Sequence, residues 1–182
     1  ITKIDPNMKE QKIFPTTNYN IFPQRYYFLS VINNIIKIAD LKNTNKSILD
    51  FGCGQKIFSK ILKNKKIINY DIKPEYTECE TYEDLHFDIV IFNHVLMYMT
   101  PNEIIELLEK IKKINPNCEI IAGIGKQNFI SKIAMTAALH FRAHKDTLST
   151  YKEQINILNN KTKLIKKRGN IFFMTDIYYS KF

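Results

Sequence analysis

Ser47–Gly54 reads SILDFGCG, and Asp71 follows Asp50 by 21 residues. Two glycines flanking Cys53, one carboxylate just before them and another some twenty residues on form a set suited to holding a polar ligand. A glycine turn lets backbone N–H groups come close to a bound molecule because no Cβ stands between. A carboxylate at the end of a neighbouring strand can accept hydrogen bonds from ribose hydroxyls. A strand, a glycine turn, a helix and then an acid at this distance is the plan of a nucleoside-binding crevice.

The elements that would position these groups follow from hydrophobic pattern. Ile48, Leu49 and Phe51 read as a short buried strand, and Lys56–Lys63 as a helix with Phe58, Ile61 and Leu62 on one side. Ile67–Asp71 is a second strand. Asp88–Phe92 is a continuous apolar run, as expected of a central parallel strand covered on both faces. Gln24–Ala39 has helical periodicity, with Phe28, Val31, Ile32, Ile35, Ile36 and Ala39 in phase and Pro23 ahead of it. Thr100, Pro101 and Glu103 spell a capping box at the head of a helix whose inward side is Ile104, Leu107, Leu108 and Ile111. Cys118–Ala122 is a strand, and Gly123 and Gly125 are read as opening a turn. Helices are expected over Gln127–Leu139 and Tyr151–Leu158. Lys163–Arg168 and Ile171–Tyr179 read as a hairpin turning at Gly169-Asn170.

Three segments together, LDFGCG, YDIKPE and FDIVIFNHVLMYMTPNE, resemble the class I S-adenosylmethionine-dependent methyltransferases, most closely the small-molecule-methylating group. The likeness spans Ser47–Ile124. It implies an α/β, Rossmann-like, doubly wound and mostly parallel sheet that ends in an antiparallel C-terminal hairpin. It also implies a cofactor, S-adenosylmethionine. On this resemblance Asp50, Gly52, Cys53 and Gly54 pass under the methionine half and Asp71, with Ile72 beside it, holds the ribose. Thr81 and Tyr82 fall near the adenine, and Asn93 and His94 lie beside the methionine moiety. Two departures stand out. Lys56 occupies the place of the usual third glycine, which narrows the room or alters the turn. Only 16 residues separate Asp71 from Asp88, so the segment between the second strand and the fourth of the family plan is shortened. Lys73–Leu85 has space for a helical turn after Pro74 and a short edge strand, leaving the adenine side more open or covered from elsewhere.

Composition bounds the rest. A chain of 182 residues with 45% apolar content builds a sizeable core, and no linker or repeat divides it, so one domain over 1–182 is expected. Within it, 1–40 would be an N-terminal lid and helix and 126–160 an acceptor-side insert. No apolar run is long enough to span a bilayer, and the start lacks the apolar centre of a signal peptide. Cys53, Cys79 and Cys118 are scattered, with neither metal-ligand spacing nor a disulfide framework. No metal site is expected, and a reducing cytoplasm fits. The net charge of +9 is spread along a chain rich in Lys, Ile and Asn, which reads as solvated surface more than a nucleic-acid footprint.

Methyl transfer demands alignment and exclusion of water, and a base only when the acceptor arrives protonated. His94, His140 and His144 lie at expected rim positions and are the candidate catalytic groups. The run H-F-R-A-H-K over His140–Lys145 would meet an anionic or hydroxylated acceptor. The D/N-P-P-F/Y segment with which amino-methylating nucleic-acid enzymes grip a base is replaced by Asn93-His94-Val95-Leu96. The expected activity is therefore methyl transfer to O or N of a small metabolite. The alternative is a cofactor-binding or partner-activating protein with little catalysis of its own.

Overall fold

The computed structural model describes residues 24–63, 65–126, 147–170 and 173–182. Six strands form one sheet: β1 (Ile48–Phe51), β2 (Ile67–Tyr70), β3 (Ile89–Asn93), β4 (Glu119–Gly125), β5 (Lys163–Gly169) and β6 (Thr175–Lys181). They lie in the order β2-β1-β3-β4-β6-β5. The first four are mutually parallel, and β6 and β5 complete the sheet antiparallel. Strand order reverses between β1 and β3, which opens a crevice beyond their carboxyl ends.

Helices cover both faces. Helix α1 (Gln24–Ile38) places Val31, Ile32, Ile35 and Ile36 against Ile48, Ile89, Ile91, Ile121 and Ile177, with Phe58 from α2 (Ile57–Ile61) and Leu62 just after it closing that layer. On the other face α3 (Pro101–Ile114) and α4 (Tyr151–Lys161) cover Leu49, Val90, Phe92, Ile120 and Ala122. Strands β1 and β3 are therefore apolar on both sides. Both α3 and α4 begin with a complete capping box, Thr100 with Glu103 and Thr150 with Glu153. At the far end of the sheet from the crevice, Asp88 accepts from the N–H and hydroxyl of Ser47 at 2.8 and 2.9 Å, pinning the starts of β1 and β3 together.

The structure departs from the sequence reading in three places. Gly123 and Gly125 do not open a turn: they are the last part of β4, paired with Asn93 on one side and with Ile177 and Thr175 on the other. The hairpin does not turn at Gly169-Asn170. Gly169 is still in β5, and the connection runs over 170–174, held by the Asn170 side chain and by Phe173 at φ 54°. No edge strand forms beyond β2. A turn at Pro74–Tyr76 is present, but the rest of this stretch makes a single backbone hydrogen bond to β2, from Glu78 N–H to Asn69 O at 2.9 Å, beside side-chain contacts. The helix expected over Gln127–Leu139 lies outside the described residues.

The capping box at the head of α3 supplies a direct check on this packing. Thr100→Ala should lower stability by about 1 kcal/mol. The measurement is the urea midpoint at unchanged slope, and an unmoved midpoint would show that the cap contributes nothing.

Candidate functional site

Strand β1 delivers the glycine turn into the crevice. The N–H groups of Gly52 and Cys53 both donate to Tyr70 O, at 2.7 and 3.1 Å, which folds the turn over the end of β2. Gly52 and Gly54 have φ of 75° and 47°. A Cβ on Gly52 would stand 2.6 Å from Val95 Cγ2, whereas one on Gly54 would meet nothing within 4 Å. Gly52 is thus required by space and conformation, Gly54 by conformation alone. Lys56 continues the turn in the left-handed region at φ 55°, a conformation that costs a side-chain-bearing residue roughly 1–2 kcal/mol. Its ammonium is drawn across to Glu78 at 3.0 Å. Asn69 holds Glu78 from the other side at 2.8 Å. The Cys53 thiol donates to Tyr76 O at 3.4 Å, and burial, with Asp50 next in effect, pushes that thiol up to about 12.

Two carboxylates face this turn in different circumstances. Asp71 accepts Gly54 N–H at Oδ2 (2.9 Å) and Lys73 N–H at Oδ1 (3.0 Å). Asp50 is 2% exposed, and its Oδ2 has no hydrogen-bond partner. Burial, and secondarily the Asp71 charge, push its carboxyl up to about 7. An ionised carboxylate in such a place is costly unless a cation joins it. Asn93 Oδ1 is also buried and unpartnered. Strands β1 and β3 pair in register at Asp50 and Ile91, so Asn93, two residues further on, projects from the same face as Asp50. Two unsatisfied acceptors at the ends of adjacent strands suit a ligand ammonium. Ile72, beside Asp71, leaves its apolar side chain 80% exposed.

Across the crevice His94 follows β3 at φ 58°. Its N–H donates to Gly123 O at 2.9 Å, and its ring occupies the place a side chain on Gly125 would need, within 3.2 Å of that position. His94 Nε2 lies 3.2 Å from Thr175 Oγ1, and the fully buried Thr175 hydroxyl is hydrogen-bonded to the Tyr27 hydroxyl at 2.5 Å. The Tyr27 and Phe28 rings meet the imidazole edge-on. Helix α1 is thereby joined directly to β6 through Tyr27 and Thr175, and His94, which follows β3, meets the same Thr175 hydroxyl.

Asp50, Gly52, Cys53, Gly54, Asp71, Ile72, Asn93 and His94 thus line one end of the sheet. Thr81 and Tyr82 sit on the shortened segment. The Thr81 hydroxyl accepts Glu83 N–H at 3.1 Å, while the Tyr82 ring is buried against Phe51 and Tyr70. Tyr98, on the short helical turn after His94, is 40% exposed. His140 and His144 lie outside the described residues. Thr175 and Asn170 were not singled out from the sequence. Thr175 has the alternation of a strand residue and nothing local to mark its hydroxyl, and Asn170 reads as a turn former.

The model of the methyltransferase domain family matches residues 24–120, just over half of the chain. No curated protein sequence matches significantly. Among solved structures, the PH0226 protein of Pyrococcus horikoshii OT3 superposes with a TM-score of 0.66 at 13% identity, over 93% of this chain and 96% of its own. Magnesium protoporphyrin IX methyltransferase of Synechocystis PCC 6803, with bound SAH, gives 0.62 at 12% identity, over 87% and 84%. The 1,6-didemethyltoxoflavin-N1-methyltransferase of Burkholderia thailandensis, with that substrate and S-adenosylhomocysteine bound, gives 0.61 at 11% identity, over 86% and 81%. At these identities the likeness is one of fold. No helix among the described residues is long and apolar enough to cross a membrane.

The glycine turn separates two kinds of constraint that substitution can read apart. Gly52→Ala should cost roughly 3 kcal/mol, combining overpacking against Val95 with left-handed strain. Gly54→Ala should cost only the strain, about 1 kcal/mol. Thermal unfolding of the two variants checks the order, and equal losses would contradict the contact with Val95.

Proposed function

The chain belongs to the methyltransferase domain family, and from that membership we propose that it binds S-adenosylmethionine beyond β1 and β3 and transfers its methyl group to an oxygen or nitrogen of a small acceptor. The observation that carries this reading is the pair of buried, unpartnered acceptors, Asp50 Oδ2 and Asn93 Oδ1. The amino group of the cofactor is the cation they lack. Solved proteins of the same fold hold S-adenosylhomocysteine, which supports the choice of ligand.

In this reading Gly52, Cys53 and Gly54 carry the methionine half on a turn free of side-chain bulk. Asp71, already oriented by two backbone N–H groups, retains lone pairs for the ribose hydroxyls. Ile72 gives the adenine an apolar surface, with Thr81 and Tyr82 on the segment alongside. When bound, the sulfonium supplies an electrophilic methyl group. The protein's work is alignment and exclusion of water: α1 closes over the crevice through Tyr27 and Phe28, and His94 stands at the acceptor side. Where the acceptor arrives as O–H or N–H, His94 is the residue assigned to take its proton, with His140 and His144 as further candidates.

Calorimetry with S-adenosylmethionine and S-adenosylhomocysteine tests the reading. No binding of either at millimolar concentration would leave the partner-activating alternative. Asp71→Ala should weaken binding by about 1.5–3 kcal/mol, the scale for hydrogen bonds involving a charged group. An unchanged affinity would remove the ribose assignment.

The Asp50 carboxyl adds a pH signature. Its pKa of about 7 in the folded protein means that it is mostly protonated at pH 6 and mostly ionised at pH 8, and only the ionised form attracts an ammonium. Affinity for S-adenosylhomocysteine should therefore rise roughly tenfold from pH 6 to pH 8. Asp50→Asn should flatten that rise, and the same slope in both proteins would rule out Asp50 as the ammonium's partner.

A further inference from the structure

Strand β5 ends the sheet on the side away from the glycine turn. All seven of its residues, Lys163–Gly169, are exposed. No strand among the described residues takes up its outer row of backbone N–H and C=O groups, and such a row is a ready template for another extended chain. Four of the seven residues are cationic: Lys163, Lys166, Lys167 and Arg168. The face each one takes decides what this edge can meet.

Residues directly opposite in an antiparallel pair share a face, and alternate residues of one strand share it too. Lys163 stands opposite Lys181, Lys166 opposite Tyr179 and Arg168 opposite Ile177. Ile177 and Tyr179 belong to the layer packed with α1, so Lys163, Lys166 and Arg168 all lie on that face. Strict alternation would have put Lys163 on one face and Lys166 and Arg168 on the other. The register shift between Leu164 and Lys166 removes the conflict, because Ile165 enters as the extra residue of a bulge. Lys167 falls on the opposite face, with its ammonium 3.0 Å from Asp176 and 4.9 Å from the Tyr178 ring centroid.

Paired and unpaired cations divide accordingly. Lys167 is held by Asp176, and Lys161, just before β5, by Glu109 at 2.7 Å. Among the described residues, no carboxylate pairs with Lys163, Lys166 or Arg168. Across from Lys163 stands another cation, Lys181, and like charges so placed are destabilising. The acid at the end of that row, Glu119, is engaged by Lys46. The three aligned cations thus lack a counter-charge within the sheet.

A second copy of the chain would bring the same cations edge to edge, and lysines and a bulge on an edge strand oppose that pairing. An acidic strand meets no such barrier. We propose that β5 is a docking edge for an extended acidic segment of a partner protein. The segment adds a strand to the sheet through main-chain hydrogen bonds and sets alternate carboxylates against Lys163, Lys166 and Arg168. Strands β4 and β6 separate this edge from the crevice beyond β1 and β3, and docking there needs neither cofactor nor turnover.

The full chain is titrated at low salt into a fluorescein-labelled peptide of four Glu-Thr repeats with blocked ends, and binding is read by polarisation. Binding should saturate, and the matching Lys-Thr peptide should not bind. Two further peptides, N-methylated at every Thr or at every Glu, keep the charges and lose the N–H donors of one edge each; one should bind about tenfold more weakly than the other. Lys163→Glu, Lys166→Glu and Arg168→Glu together should abolish binding at an unchanged urea midpoint, and Lys166→Gln alone should weaken it severalfold. The same charge change at Lys60, Lys63 and Lys66, exposed around α2 and the start of β2, should leave most of the affinity. Equal affinity of the two methylated peptides would show attraction without strand pairing, and equal loss in the two triple variants would show a response to net charge alone; either overturns the proposal. So does tighter binding of a polyuridylate oligomer or of phosphatidylserine vesicles than of the acidic peptide, lost in the β5 triple variant.

Discussion

A carboxyl group taken out of water at the end of a central strand is the constraint around which this crevice is organised. Asp50 cannot be moved into solvent, because β1 lies between β2 and β3 and is covered on both faces. Nor can it share the solution found by Asp71, whose two oxygens are taken up by backbone N–H groups. The glycine turn that might have offered its amides to Asp50 gives two of them to Tyr70 O and a third to Asp71. The outcome is one carboxylate tied down by hydrogen bonds and, beside it, one without them whose burial pushes its pKa up to about 7. A buried carboxyl raised in this way and facing a crevice is characteristic of binding and catalytic sites more than of ordinary cores.

The same end of the sheet is built by exchanging side chains for space. Gly52 yields to Val95, Gly123 to Asn93 and Gly125 to His94. Each glycine sits on one strand or turn and the side chain that fills its place comes from the next element over. Two of the displaced groups, Asn93 and His94, are polar and face the crevice region, so the small residues of β4 act by letting chemistry in from β3. The left-handed φ of His94 fits this account. A residue with that backbone persists only where its surroundings over-determine it, and here Gly123 O, Thr175 and the notch above Gly125 do so together.

How far the sequence could be read follows from which forces are local. The strands Ile48–Phe51 and Ile67–Tyr70, the cap at Thr100 and the α1 core face all stand where periodicity and capping rules put them, because each depends on neighbours within a few residues. The pairing of Asp50, Gly52, Gly54 and Asp71 was legible for the same reason, with fixed spacing along strand, turn and strand. Gly123 and Gly125 were misread as a turn because the partner that makes glycine useful there, Asn93 or His94, lies some thirty residues away in the chain. The hairpin tip was misread likewise: Gly169-Asn170 has the composition of a two-residue turn, but the Asn170 side chain bonds Met174 and Thr175 and extends the connection. The Thr175 hydroxyl has no local signature at all.

The short segment after β2 shows how the edge of the sheet is held with little regular structure. With 16 residues between Asp71 and Asp88, a further helix and strand do not fit, and β2 is left as the edge. An exposed strand edge invites unwanted pairing, and a segment without regular structure needs other ties. Both needs are met by Glu78. Its N–H occupies the edge at Asn69, and its carboxylate gathers Asn69 Nδ2 and the Lys56 ammonium. That is the physical sense of a lysine at the place where the family resemblance implies a third glycine. The left-handed turn at Lys56 carries a conformational cost, but only a long cationic side chain at that point can reach Glu78 and hold the segment against the glycine turn. The strained turn and the short segment beside it are thus one arrangement, in which the residue that strains the loop also holds the segment along the edge of β2.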